Sequence, residues 1–308
     1  MAKYILKRLL YMVITLFIIT TITFYLMHNI QGDPLTAAGK TLPAQTLENY
    51  RIKYGLDKST TEQYKMFLEN AMHGDLGSSF KFAGRSVSGT IKETAPISGK
   101  VGGQAMIVGI VIGLTFGIVA ALTRNRWPDS VIKIIAIIGV TVPVFVLGSL
   151  LQYWMGVKKG WFPTSGWTGE FKYSVIPTIA LCFGSIATYS RYMRSNVLEV
   201  LNQDYILTAQ AKGVSKFNII TKHVLRNAML PIVTIVGPQV AAIFTGSFII
   251  ETMFSIPGLG YYFVNSVTSR DYPFIIGTTI FYAALFLVVQ LLVDIVYGLV
   301  DPRIKLAE

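Results

Sequence analysis

The chain is poor in sulfur ligands, in histidine and in charge. Its 308 residues hold one cysteine, Cys182, and three histidines, His28, His73 and His223. One thiol excludes an intrachain disulfide and a thiolate zinc site, and three scattered imidazoles make no metal cluster. Charged residues are 14% of the chain, against about a quarter in a soluble domain, which argues against an ordinary cytosolic enzyme. No G-x-x-x-x-G-K-[ST] phosphate loop occurs, so ATP hydrolysis by this chain is not expected. H-E-x-x-H and G-x-S-x-G are also missing. No catalytic residue and no metal ligand is assigned. Carboxylates are absent from the long apolar runs, where an ion-driven carrier normally has them. Glu251 and Asp294 follow the last two runs and read as interfacial groups rather than proton carriers. The energy for any transport is therefore expected to come from elsewhere.

What is present is hydrophobicity in long runs. Hydrophobic residues make up 52% of the chain. Six stretches, 9–27, 102–123, 134–157, 173–190, 227–250 and 272–293, contain no Asp, Glu, Lys or Arg. A membrane helix needs about 18 such residues. Only helices and closed barrels satisfy their own backbone in lipid. The sequence thus predicts an all-α integral membrane protein with six transmembrane helices. The first run follows Lys3, Lys7 and Arg8, as a secretory signal does. It is longer than the ~7–15 residues of a signal core, and no small-x-small site follows Met27. Residues 1–29 accordingly read as an uncleaved signal-anchor.

The net charge of +11 suits either nucleic acid or an anionic membrane surface. Its distribution favours the membrane. With the N-terminus inside, the inner segments hold 14 Lys and Arg, and the short outer loops hold four, Lys158, Lys159, Lys172 and Arg270. The nine in 30–100 stand beside seven acids, and a segment of that length largely escapes the positive-inside rule. Both termini are expected in the cytoplasm. No nucleic-acid-binding signature is present.

Two connections are large. The outer one, 30–100, opens with the turn Gly32-Asp33-Pro34, followed by two expected amphipathic helices, 45–54 and 61–72, the second ended at Gly74-Asp75-Leu76-Gly77. It reads either as a cap packed on the bundle or as a docking surface for an external protein. The inner one, 191–226, reads helix–glycine–helix. Asp204 can cap a helix running to Lys212, Gly213 tolerates a left-handed stop, and Ser215 can cap the next helix. Ala209 and Ala211 leave room for another protein. The alternative is a structural re-entry hairpin.

Within the runs, Ala105, Gly109, Gly113, Gly117 and Ala121 repeat a small residue at every fourth position. Such a ridge brings two helices close, within the chain or against a partner. Pro143, Pro231 and Pro238 can kink their helices, a feature of moving pathways and of static bundles alike. Tyr153, Trp154 and Tyr189 are candidates for the solute path, with membrane anchoring as the competing role. Cys182 is most simply a small apolar residue.

The run Asp204-Tyr205-Ile206-Leu207-Thr208-Ala209-Gln210-Ala211-Lys212-Gly213-Val214-Ser215, followed by His223-Val224-Leu225-Arg226-Asn227-Ala228-Met229-Leu230-Pro231, resembles the cytoplasmic signature of ABC importer permeases of the peptide/nickel branch. The general pattern is E-A-A-x-x-x-G, then I-x-L-P. Gly213 and Ala209 match it. Leu207, Thr208 and the segment from His223 to Arg226 depart from it in the manner of the peptide branch. Met27-His28-Asn29-Ile30-Gln31-Gly32-Asp33-Pro34, Tyr54-Gly55-Leu56-Asp57, Gly74 to Gly77, Thr245 to Glu251, Ile256-Pro257-Gly258-Leu259-Gly260 and Asp301-Pro302-Arg303 look like those of oligopeptide permease B subunits.

This resemblance covers nearly the whole chain. It implies a type I, MetI-like permease fold with an extracellular helical insertion at 30–100 and a five-helix core at 101–308. It also implies a non-catalytic subunit of an oligopeptide importer in the bacterial cytoplasmic membrane. Two ATPase subunits, which would bind ATP and Mg, are expected to receive the 204–212 helix, with Asp204, Tyr205, Thr208, Ala209, Ala211, Lys212, Gly213, Val214 and Ser215 as the contact. A second, homologous permease subunit and an extracellular solute-binding protein complete the expected partners, with no cofactor in this chain. Dipeptide, nickel and metallophore importers share these motifs. Outside the family, a self-sufficient channel or ion-coupled carrier is the alternative.

Overall fold

The computed structural model describes residues 2–30, 45, 48–49, 51–52, 55–82 and 84–300. The Gly32-Asp33-Pro34 turn, most of the 45–54 helix and Asp301-Pro302-Arg303 lie outside the described residues. The described residues are mostly helical, with one isolated antiparallel bridge between Ser78 and Ser86. The helices are α1 (Ala2–His28), α2 (Thr60–Met72), α3 (Val87–Leu122), α4 (Trp127–Thr141), α5 (Val144–Lys158), α6 (Phe171–Leu201), α7 (Asp204–Ala211), α8 (Lys216–Ala228), α9 (Leu230–Met253), α10 (Leu259–Thr268) and α11 (Tyr272–Val300). Gln152–Lys158 within α5 and Ile219–Val224 within α8 are wound as π-helix.

Four helices, α1, α3, α6 and α11, are each long and apolar enough to cross a membrane. They fall on four of the six expected runs but outlast them. Hydropathy marks the lipid-facing part of a helix, whereas the hydrogen-bond ladder continues into water. The other two expected spans are broken. The run 134–157 is not one rod: α4 and α5 meet at an angle of 109°. Val142 and Pro143 have extended ψ values of 120° and 141°, and Pro143 is the N-cap of α5. Proline supplies no N–H to continue the ladder and restricts the residue before it to extended backbone. The run 227–250 bends by 47° between α8 and α9, with Pro231 in the first turn after the bend. Pro238 lies inside α9, as Pro96 and Pro177 lie inside α3 and α6.

The chain forms two compact units. One comprises Met1–Ser98 and Pro257–Val288, the other Gly99–Ile256 and Val289–Glu308. In the first, Phe24, Met27, Phe80, Tyr272, Ile275 and Ile276 form an apolar cluster against which Tyr64 and Phe67 of α2 pack. The expected amphipathic helix is therefore α2, and its apolar stripe is used against α1 and α11. It starts with a full capping box: Ser59 Oγ accepts from Glu62 N–H, and the Glu62 carboxylate accepts from Ser59 N–H. Asp271 is completely buried before α11. It accepts from the Ser79 hydroxyl and from the amides of Phe80 (3.0 Å) and Lys81 (3.3 Å). Three donors on one carboxylate pin the 78–82 turn.

In the second unit, α6 is the central element. The glycine ridge of α3 meets it directly. A Cβ on Gly109, Gly113 or Gly117 would lie 2.6, 2.7 and 2.6 Å from the Cβ atoms of Ser185, Tyr189 and Met193. Three glycines at four-residue spacing thus meet three residues of α6 at the same spacing. The ridge serves packing within the chain, and Ala105 and Ala121 at its ends are buried too. Asp129, at the start of α4, is fully buried. Arg194 of α6 grips it with two bonds, Nε to Oδ1 at 2.7 Å and Nη2 to Oδ2 at 2.9 Å. Lys133 Nζ at 3.0 Å and the Asn125 amide at 3.0 Å complete its shell. A buried carboxylate is tolerable only when paired and hydrogen-bonded throughout. Glu251 is not the water-reaching interfacial group expected from its place in the sequence. It is completely buried, near the end of α9. Asp294 lies within α11, where its carboxylate accepts from Gln290 at 3.3 Å.

Candidate functional site

The connection between α6 and α8 presents α7 to solvent on a rigid base. Ile206 is the anchor. It is fully buried among Val197, Ile219 and Val224, with Met193 in the same cluster. Asp204, Leu207, Thr208, Gln210, Ala211 and Lys212 are exposed around it, and Ala209 is half-buried. One fully buried side chain anchors the short helix, Ala209 packs partly against the same cluster, and the outer face stays exposed.

The ends of α7 depart partly from expectation. Asp204 is not the cap. Gln203 holds that position with extended backbone and makes no side-chain cap bond. Asp204 is the first helical residue, where its charge still suits the positive end of the helix dipole. Lys212 is the C-cap rather than a last-turn residue. Gly213 has φ +75°, the left-handed stop expected. The Val214 amide bonds to the Ala209 carbonyl at 3.1 Å and the Gly213 amide to the Gln210 carbonyl at 2.9 Å. That pair of bonds is the Schellman closure, which needs a residue free to adopt positive φ. A Cβ on Gly213 would meet nothing within 4 Å, so glycine is required there by backbone conformation and not by a close neighbour.

The exit is also fastened. Ser215 caps α8, accepting from the Asn218 amide at 3.4 Å. Tyr205 Oη accepts from Asn227 Nδ2 at 3.0 Å, tying α7 to α8. Asn196 of α6 donates to the Ala228 carbonyl at 3.0 Å, beside the bend that ends α8. Sequence reasoning missed Phe217, which is 74% exposed immediately after the cap. An aromatic ring beside Lys216, directly behind a glycine-closed helix, was the available signal.

The three aromatics named for a solute path do not meet. Tyr153 and Trp154 are exposed on the π-wound half of α5, with Lys158 Nζ 4.9 Å from the Trp154 ring. Tyr189 is fully buried against Gly113, so membrane anchoring does not describe it. Sequence reasoning also missed a cavity of about 180 Å³ at the α4–α5 break. It is lined by Gly139, Leu147, Gly184, Ser185, Gln239 and Ile243 among others. Among the described residues no group of three or more His, Cys, Asp or Glu could hold a metal ion.

A projecting helix on a bolted base, broken spans and a small cavity at a break are features of a membrane permease. Comparison with solved structures shows the fold. The inward-facing MetNI methionine ABC transporter superposes with a TM-score of 0.56 at 17% identity, covering 68% of this chain and 96% of that one. The fold is that of ABC importer permeases. Residues 113–306 match the family described as binding-protein-dependent transport system inner membrane component, and residues 1–98 match its N-terminal component. The chain belongs to that family and is an integral inner-membrane protein. It is 43% identical over 306 residues to the dipeptide transport system permease protein DppB of Bacillus subtilis, covering 99% of both chains. It is 39% identical over 307 residues to the oligopeptide transport system permease protein OppB of Haemophilus influenzae, covering 99% of this chain and all of that one.

Proposed function

We propose that this chain is a translocation subunit of an ATP-driven importer that carries oligopeptides inward, with α7 as its coupling element. The observation that carries the reading is the construction of α7: one buried residue, Ile206, a Schellman stop at Gly213, and an exposed outer face. An ATPase seated on that face would move α7 as a lever, and the fastening of α7 to α6 and α8 would pass the motion to the broken spans. Two ATPase subunits, a second homologous permease and an external binding protein fit this role. The excess of Lys and Arg in the inner segments supports cytoplasmic termini, with α7 on the same side. Relatives named for dipeptides and for oligopeptides support a peptide cargo. Residues 30–100 are the proposed contact for the binding protein.

Two variants test the coupling assignment in the full complex. Gly213→Leu forces a side chain into positive φ at about 1–2 kcal/mol and distorts the stop. Ile206→Ala removes the anchor, at about 2–4 kcal/mol for a buried aliphatic truncation. In both, the ATPases are expected to hydrolyse ATP without stimulation by peptide-loaded binding protein. Full stimulation and full uptake in both variants would remove α7 from the coupling path. Competition by unlabelled peptides of two to five residues reads out the preferred length.

A further inference from the structure

The break between α4 and α5 exposes more than a bend. Pro143 has no N–H, so the Gly139 carbonyl, four residues earlier, loses its helical donor. Among the described residues no backbone amide outside the helices takes its place. Gly139 stands against α6, where its own Cβ would lie 2.8 Å from the Phe183 carbonyl and from the Ala187 Cβ. Its oxygen lies 3.7 Å from the place where a Gly184 Cβ would stand, so the glycine at 184 leaves that carbonyl open. Gly139 and Gly184 both line the 180 Å³ cavity. Across it stands Gln239, ten residues into α9, the residue after Pro238. The one side-chain hydrogen bond to Gln239 among the described residues is long, 3.5 Å from the Ser185 hydroxyl to Oε1. Gln239 thus adds a side-chain amide, with its donor N–H groups, to a wall that holds Leu147, Leu181, Phe183 and Ile243 beside Ser185.

Polar groups inside a membrane span are costly and face cavities or pathways, and non-helical backbone is tolerated at depth only where it lines such a space. An open carbonyl and an open amide facing one cavity are the complement of a peptide group, which offers one N–H and one C=O. They carry no charge and read no side chain, and the volume holds about six waters at ~30 Å³ each, enough for one stretch of extended main chain. We propose that this cavity is a main-chain subsite for the passing peptide, with Gln239 Nε2 donating to a peptide carbonyl and the Gly139 carbonyl accepting from a peptide N–H. The proposal rests on the peptide reading of the cargo. It assigns specificity for the peptide backbone to α4, α6 and α9, and leaves side-chain preference to other surfaces.

The test uses the complete importer in proteoliposomes, with a labelled tripeptide and the same tripeptide N-methylated at one amide. N-methylation removes the N–H that Gly139 would accept. Gln239→Leu is expected to lower uptake of the plain tripeptide about tenfold, the loss of one desolvated hydrogen bond, and Gln239→Asn to lower it less. Gly184→Val places methyl groups over the Gly139 carbonyl without a clash at Cβ. It should bring uptake of the plain tripeptide down to that of the N-methylated one, abolishing the discrimination seen in the wild type. Co-purification of the ATPases verifies assembly of each variant. Wild-type uptake and wild-type discrimination in both Gln239→Leu and Gly184→Val would overturn this subsite and leave the peptide cargo standing. A wild-type complex that takes up no peptide would overturn the cargo and the subsite together.

Discussion

Gly117→Ala is the sharpest probe of how α3 and α6 are held together. The added Cβ would lie 2.6 Å from the Met193 Cβ, 2.7 Å from the Ser190 carbonyl oxygen and 3.0 Å from the Arg194 amide nitrogen. Carbon atoms prefer separations of about 3.5–4.0 Å, so the contact is short by about 1 Å. None of these three atoms is the end of a flexible side chain, so the strain cannot leave by a rotamer change. The helices must part, and Gly113 and Gly109 in the same ridge lose contact with them. Overpacking of this kind costs about 1–3 kcal/mol, against the ~0.5–1 kcal/mol that alanine gains over glycine within a helix. Gly103→Ala lies in the same helix and supplies the control, because its Cβ would meet nothing within 4 Å. The two substitutions are identical in chemistry and should differ in sign: Gly117→Ala destabilising, Gly103→Ala neutral or stabilising. The assay is thermal unfolding in detergent, followed by reaction of a thiol dye with Cys182, the chain's one cysteine, which is buried. An unfolding temperature for Gly117→Ala equal to or above that of Gly103→Ala would refute the close-packed ridge.

Two further outcomes follow from the polar contacts. Asp129→Asn leaves the Arg194 and Lys133 cations facing a neutral amide. With the Asp129 side chain fully buried and Arg194 partly exposed, a loss of about 2–3 kcal/mol is expected, below the full value for a buried pair. A double-mutant cycle with Arg194→Met that shows no coupling would contradict the pairing. The α2 cap carries a pH dependence. The Ser59 hydroxyl, followed by the Ser59 amide, holds the Glu62 carboxyl below its ordinary 4.5. A depressed carboxyl stabilises the fold above its unfolded value and loses that contribution as pH falls through the folded one. Protection factors against hydrogen exchange at the first turn of α2, taken relative to the intrinsic rate at each pH, should therefore fall below about pH 4.5, and Ser59→Ala should weaken that dependence, leaving the share held by the Ser59 amide. An unchanged acid profile in Ser59→Ala would show that the box does not set it.

Much of this protein is legible without coordinates because the signals are local. Solvation of a side chain depends on its own chemistry, so charge-free runs announced α1, α3, α6 and α11. Glycine at 213 announced a stop because positive φ is a property of one residue. The small ridge from Ala105 to Ala121 announced a close helix contact from spacing alone. Its partner was open: lipid-embedded ridges serve neighbours within a chain or outside it, and only the fold placed Ser185, Tyr189 and Met193 against it. Pro143 suggested a kink, but apolar residues on both sides gave no measure of the 109° between α4 and α5. Asp129 drew no reading from the sequence, because the partner that explains its burial, Arg194, lies 65 residues away and only the fold brings it there. Glu251 was read as interfacial because burial is a property of neighbours, and its neighbours are distant in sequence. The cavity is the extreme case. A carbonyl freed at Gly139, a missing side chain at Gly184 and an amide at Gln239 mean nothing separately, and they converge only when three helices pack.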